Sequence, residues 1–167
     1  MFETWLDDVK AECEAMGHRV VSVCLRDKKI TYCTGCWACW VKTPGQCIAS
    51  DDSREICSTF INSDFVLFAS PVLMGFTSAI LKRLQDKLIP LVHPYIEIVQ
   101  GECHHKKRYD SYPGMGLVLD MQESDMEDRQ IITRIYERLA KNLRTRLHFS
   151  KTADDPAEEV AHAIDCV

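Results

Sequence analysis

An α/β layer fold with a mainly parallel sheet is predicted from three observations. Helical and strand-like periods alternate along the chain. Phe65 to Ala69 is a short continuous apolar run, the mark of a strand covered on both faces. Finally, the 167 residues contain no repeat, linker or low-complexity tract, so a single domain over 1–167 is expected.

Each element has its own justification. Phe2, Trp5, Leu6, Val9, Cys13 and Met16 recur at helical spacing, and Gly17 suits the position just past a helix end. His18 to Leu25, with β-branched Val20, Val21 and Val23, predicts a strand. Residues 33–47 carry no period and read as a loop. Asp52 with Glu55 three residues on predicts a helix start, and Ile56, Phe60 and Ile61 its buried stripe. After the apolar strand, "SPVLMGFTS" reads as a Pro/Gly-containing loop, with Thr77 or Ser78 capping a helix lined by Ile80, Leu81, Leu84 and Leu88. Tyr95 to Val99 and Gly116 to Leu119 predict two more strands. Ser124 and Glu127 form a capping box for a long helix carrying Ile131, Ile132, Ile135, Leu139 and Leu143. A short strand (Arg146 to Phe149) and a last helix (Asp155 to Ile164) follow.

Composition narrows the function. A net charge of −5 argues against a sequence-independent nucleic-acid binder, which needs a basic face. The apolar runs fall far short of the roughly 20 residues of a membrane span. No basic stretch followed by an apolar core opens the chain, so no secretory signal is expected. Nine cysteines, an odd number, suit a reducing cytoplasm better than a disulfide framework. Cys13, Cys24 and Cys57 read as small buried hydrophobes. Cys33, Cys36, Cys39 and Cys47 are different, crowding into "CTGCWACWVKTPGQC" with two, two and seven residues between them. Four thiolates at such spacing suit a [4Fe–4S] cluster or tetrahedral zinc. A thiol-rich turn holding no metal fits the same residues.

Taken together, three segments resemble the flavodoxin-like NAD(P)H-dependent FMN reductases, including the iron-sulfur flavoproteins of that group. They are "CTGCWACWVKTPGQCIASDD" at 33–52, "SDFVLFASPVLMGFTSAILKRLQDKL" at 63–88 and "GECHHKKRYDSYPGMGLVL" at 101–119. The resemblance implies an FMN-dependent oxidoreductase fed by NAD(P)H or a protein electron donor. It also implies a [4Fe–4S] site on Cys33, Cys36, Cys39 and Cys47. In this architecture ligands bind at the carboxyl edge of the sheet. Ser70, Pro71, Val72, Leu73, Met74 and Gly75 are therefore expected against the isoalloxazine, with His105 and Arg108 near the same edge for flavin, nucleotide phosphate or a neighbouring subunit. Position 73 is often aromatic in the family and is Leu here.

The chain departs from the family at its start. Members begin with a strand and a Ser/Gly/Asn-rich loop that holds the FMN phosphate, whereas this sequence opens at the helix that follows. Its fold is therefore expected to lack the family's first strand, leaving two inner edges about 10 Å apart. Either a second polypeptide, in a homo-oligomer or as a partner chain, supplies the strand and phosphate loop, or the sheet closes up without them, or the chain is a truncated gene product. The rival reading is a non-catalytic, degenerate flavodoxin-like subunit that binds a partner chain and an iron-sulfur cluster.

Overall fold

The computed structural model describes residues 1–122 and 124–167. In chain order the elements are α1 (Phe2–Ala15), α2 (Ala38–Val41), α3 (Ser53–Ile61), β1 (Phe65–Leu73), β2 (Phe76–Thr77), α4 (Ala79–Asp86), β3 (Val92–Val99), β4 (Glu102–Lys107), β5 (Gly114–Asp120), α5 (Met126–Asn142), β6 (Leu147–Thr152) and α6 (Ala157–Asp165). The main sheet has the order β2-β1-β5-β6; β5 runs parallel to both β1 and β6, and the two-residue β2 is antiparallel to β1. Strands β3 and β4 form a separate antiparallel hairpin. Among the described residues no helix is long and apolar enough to cross a membrane.

The sheet buries both faces, as its continuous apolar strands require. Along β5, Met115, Leu117 and Leu119 join Phe68 and Val72 of β1 against α3, α4 and α5, where Phe60, Leu84, Ile132 and Tyr136 are buried. Val118 points the other way and meets Val9 and Cys13 of α1 and Val160 and Ala161 of α6. Gly116 sits beneath the stacked rings of Phe65 and Phe149, which reach over β5 from its two neighbours. A Cβ at Gly116 would lie 2.7 Å from Phe149, so only glycine lets those rings close.

The expected strand at His18 to Leu25 is not formed. Residues 18–24 belong to no helix or strand, and a single 3-10 turn, Leu25–Asp27, follows. Val21 is 60% exposed, although Val20 and Val23 still touch the core. The physical reason lies at β1. Asp64 accepts the Gly114 amide, so the even-numbered residues of β1 direct their backbone groups to β5. Phe65, Leu67 and Ala69 face the opposite edge, and there β2 pairs only with Val72 and Leu73. Without a strand between them, neither 18–24 nor the start of β1 has a ladder to join.

Three further expectations are corrected. "SPVLMGFTS" is a β-hairpin rather than a loop, since β1 continues to Leu73 and turns through Met74 (φ 52) and Gly75 (φ 75). A two-residue turn with both φ positive matches strand twist, which is why it closes here. Asp125 rather than Ser124 caps α5, accepting the amides of Glu127 and Asp128. Residues 33–47 are not wholly irregular, because they contain the single turn α2.

Amide hydrogen exchange tests the open edge of β1. The amides of Val66, Phe68 and Ser70, bonded to β5, should exchange far more slowly than those of Phe65, Leu67 and Ala69. Uniform protection along the strand would show that the outer edge is paired.

Candidate functional site

The carboxyl ends of β1 and β5 bring together the β1–β2 hairpin, Asp120 to Gln122 and the first turn of α5. Gly75 packs so closely on that turn that a Cβ there would stand 2.8 Å from Asp128 Oδ1. The close approach that glycine permits is thus to α5. Leu73 and Met74 stand out from the hairpin tip, 50% and 105% exposed. Among the described residues no hydrogen bond engages the N–H of Met74 or Gly75. Exposed apolar side chains beside free amides form a surface for a flat, hydrogen-bonding ring.

Two of the residues expected here serve the fold instead. Ser70 is fully buried; its Oγ accepts the Ser78 amide at 2.9 Å and donates to the Pro71 carbonyl at 2.8 Å, tying β1 to the residue that precedes α4. Val72 is 3% exposed and belongs to the main core. Any contact these two make with a ring is through their backbone.

His105 and Arg108 lie elsewhere. Glu97 and His104, on one face of the β3–β4 hairpin, meet Arg144 at 2.7 Å and Asn142 at 3.0 Å, at the carboxyl end of α5. Gly75 meets Asp128 at the opposite end, and fourteen residues of helix separate the two places by about 21 Å. His105 turns from α5 and lies against Trp40, ring centroids 5.0 Å apart. Arg108 donates to the carbonyls of Pro90 and Val92. The expected gathering of these two side chains at the hairpin edge is therefore not seen. The sequence could not show this, because β4 begins a hairpin that leaves the sheet.

The cysteine segment forms a second cluster, clamped by polar contacts. Trp40 Nε1 donates to the carbonyls of Ile89 and Val92, and Arg54 donates to those of Cys47 and Ile48. Beneath them Lys87 pairs with Asp51 at 2.5 Å, both side chains 1% exposed, and Lys87 also donates to Thr31. Burial works to raise the Asp51 pKa, but hydrogen bonds from Lys87, Ser53 and Thr31 outweigh it and hold the carboxyl well below the usual range. This pair is invisible in the sequence, where Lys87 reads as a polar residue at a helix end.

All nine cysteines are free thiols. Cys33 and Cys36 are exposed, Cys39 is buried and Cys47 is half-buried. The Ala38 amide, followed by the Thr34 hydroxyl, lowers the Cys36 pKa. Burial raises that of Cys39, with the neighbouring Cys47, Cys33 and Cys36 adding to the shift. Cys57, which donates to the Lys87 carbonyl, is pushed up to about 12 by burial. The four motif thiols therefore lie within each other's electrostatic reach. Among the described residues, however, no three His, Cys, Asp or Glu side chains are arranged to hold a metal ion. The donor set has the right chemistry for a cluster, and its geometry is not closed around one.

A similar test applies to FMN. The hairpin tip fits the ring, but the adjoining edge carries Asp120, Asp125, Glu127 and Asp128, and Asp125 already fills the amides that open α5. Carboxylates repel a phosphate, so this edge does not fit that end of the cofactor.

Residues 3–106 match the family described as NADPH-dependent FMN reductase. Over 88 residues the chain is 39% identical to an iron-sulfur flavoprotein of Archaeoglobus fulgidus, a match covering 53% of this chain and 39% of that protein. An iron-sulfur flavoprotein of Methanocaldococcus jannaschii is 39% identical over 69 residues, 41% of this chain and 35% of the other. The chain thus spans about two fifths of the length of these relatives or less. The azoreductase from Bacillus anthracis superposes with a TM-score of 0.62 at 13% identity, covering 96% of this chain and 85% of that one. That likeness shows the flavodoxin-like fold.

Two measurements check the cysteine region. Asp51→Asn should lower stability by about 3–5 kcal/mol in urea denaturation, because it leaves the Lys87 ammonium buried without a counter-charge. Since Asp51 holds its proton less tightly folded than unfolded, the stability it supplies is present above the ordinary carboxyl pKa of about 4 and lost as pH falls below it. The variant's acid limb should accordingly be flatter. Iodoacetamide at neutral pH should label Cys36 first among the motif cysteines, and Cys39 and Cys57 last, by peptide mass spectrometry.

Proposed function

Because the chain belongs to the NADPH-dependent FMN reductase family, we propose that it is the ring-binding part of an FMN-dependent oxidoreductase drawing electrons from NAD(P)H or a protein donor. The observation that carries this reading is the β1–β2 hairpin tip, with exposed Leu73 and Met74 beside the unengaged amides of Met74 and Gly75. Bound there, the flavin would supply hydride and electron transfer, which is cofactor chemistry.

The chain's own part is positioning. Ser70 locks the hairpin to the start of α4, Gly75 seats its turn on α5, and the free amides face outward as donors to a carbonyl-rich ring edge. Leu73 and Met74 exclude water from one side of that ring. No side chain here is asked to hold or move a proton. The phosphate end requires donors other than the carboxylates at this edge. For Cys33, Cys36, Cys39 and Cys47, the iron-sulfur flavoproteins that the chain resembles support a [4Fe–4S] site. Its assembly would have to draw the exposed Cys33 and Cys36 inward toward Cys39.

FMN titration followed by flavin fluorescence tests the reading. The wild-type chain should bind, and Leu73→Glu, which alters an exposed position, should weaken binding by about tenfold or more with the fold unchanged by circular dichroism. Equal affinity of the two proteins would remove the hairpin from the site. A chain that never takes up FMN would favour the non-catalytic subunit.

A further inference from the structure

The β3–β4 hairpin stands outside the main sheet, and among the described residues no third strand pairs with either of its outer edges. Its two-residue turn, Gln100 (φ 51) and Gly101 (φ 82), makes Val99 and Glu102 a hydrogen-bonded pair. Alternation then assigns the backbone groups of Glu102 and His104 to β3, and those of Cys103 and His105 to the outer edge of β4. Among the described residues no strand lies along that edge, and no hydrogen bond engages those two residues' backbone groups. An unpaired edge of this kind is a template for pairing with another chain.

The side chains divide by face. Glu97, Glu102 and His104 turn toward α5, where Glu102 also pairs with Arg138 at 2.8 Å. Ile96, Ile98, Cys103 and His105 occupy the other face, where Ile96 is 51% and Ile98 69% exposed. Trp40 lies on His105, and the exposed Trp37 stacks on Trp40 at 4.9 Å. His105 Nδ1 is buried there without a partner.

We propose that β4 pairs antiparallel with β4 of a second copy of this chain, joining the two hairpins into a four-stranded sheet about a two-fold axis at His104. The sequence of β4, Glu-Cys-His-His-Lys-Lys, specifies that partner. With His104 opposite its own symmetry mate, Cys103 lies opposite His105 and Glu102 lies opposite Lys106, each twice. The register joins outward-facing backbone groups on both copies. It also sets the carboxylate of one copy against the ammonium of the other, on one face of the sheet. On the opposite face each copy's Ile98 and Cys103 continue into His105 and Ile96 of its mate, making two unbroken cross-strand rows. A like-handed partner is self-complementary at every one of these positions, as an isologous interface must be. The proposal does not depend on flavin binding and places the interface at the end of α5 remote from the hairpin tip.

Sedimentation of the full chain at micromolar concentration tests it, with two variants. The wild-type protein should be a dimer, and Lys106→Glu, which sets like charges opposite each other, should weaken dimerisation about tenfold. His105→Cys should place each introduced thiol opposite Cys103 of the mate, at a Cα separation of about 5.5 Å that suits a disulfide. Mild oxidation with hydrogen peroxide would convert two thiols and one peroxide into one disulfide and two waters. It should give a dimer on a non-reducing gel that is absent when Cys103→Ser is added. A monomeric wild type, or a dimer indifferent to Lys106→Glu that forms no Cys103-dependent link in His105→Cys, would overturn the proposal.

Discussion

A buried ammonium is tolerable only where a carboxylate meets it, and the Lys87–Asp51 pair holds three distant parts of this chain to one another. Lys87 ends α4, Asp51 precedes α3, and Thr31, which also binds both, leads into the cysteine segment. That segment has almost no regular structure of its own; its one turn of helix is too short to hold itself together. Its position is imposed from below by the ion pair and from its flanks by Trp40 and Arg54, each donating to backbone carbonyls. The thiols therefore owe their arrangement to contacts that none of them makes. With the charge compensated the segment is fixed, and uncompensated it would cost more than most single core contacts supply.

Helix α5 separates the two hairpins. Its first turn seats the β1–β2 hairpin through Gly75 and Asp128, and its last turns hold the β3–β4 hairpin through Arg138, Asn142 and Arg144. Between them Ile132, Tyr136 and Ala140 are fully buried against β5, so the helix acts as a rigid spacer rather than a loose cover. The proposed ring site at one end and the proposed interface at the other can then vary independently. Carboxylates cluster at the first end, where Asp125 satisfies the opening amides, and cations lie at the second, matching the helix dipole at both.

Periodicity made the helices and the parallel strands legible. The apolar run at Phe65 and the helix at 126–142 appear where hydrophobic spacing put them, although the buried face of that helix is Ile132, Tyr136, Ala140 and Leu143, with Ile131 and Ile135 exposed. What failed was everything decided by a neighbour. Val20 to Val23 have strand-like side chains, but a strand is a paired object and no partner lies beside them. Ser70 to Ser78 look like a loop because of Pro71 and Gly75, yet Pro71 falls on the edge of β1 facing away from β5, where a missing N–H costs no ladder bond, and Gly75 supplies a hairpin turn. His105 and Arg108 were sought at the sheet edge because the hairpin that carries them away has no signature beyond Gln100-Gly101. The four cysteines were conspicuous in the sequence, whereas the ion pair that places them was not.

Among the strands with an unpaired edge in the described residues, β1 and β4 differ in charge, and charge distinguishes what each can do. From Phe65 to Leu73, β1 contains no charged residue, so nothing along it would choose one register over another. Its far end is already closed by β2, and Pro71 removes one donor. Pairing there is limited to a short apolar strand, with specificity drawn from the faces rather than the edge. β4 is the opposite case. It is polar, it begins with a carboxylate and ends with two ammonium groups, and that polarity reverses on itself under two-fold rotation. An edge that is chemically directional selects a copy of itself in one register, whereas an edge without charge selects only for length and hydrophobicity.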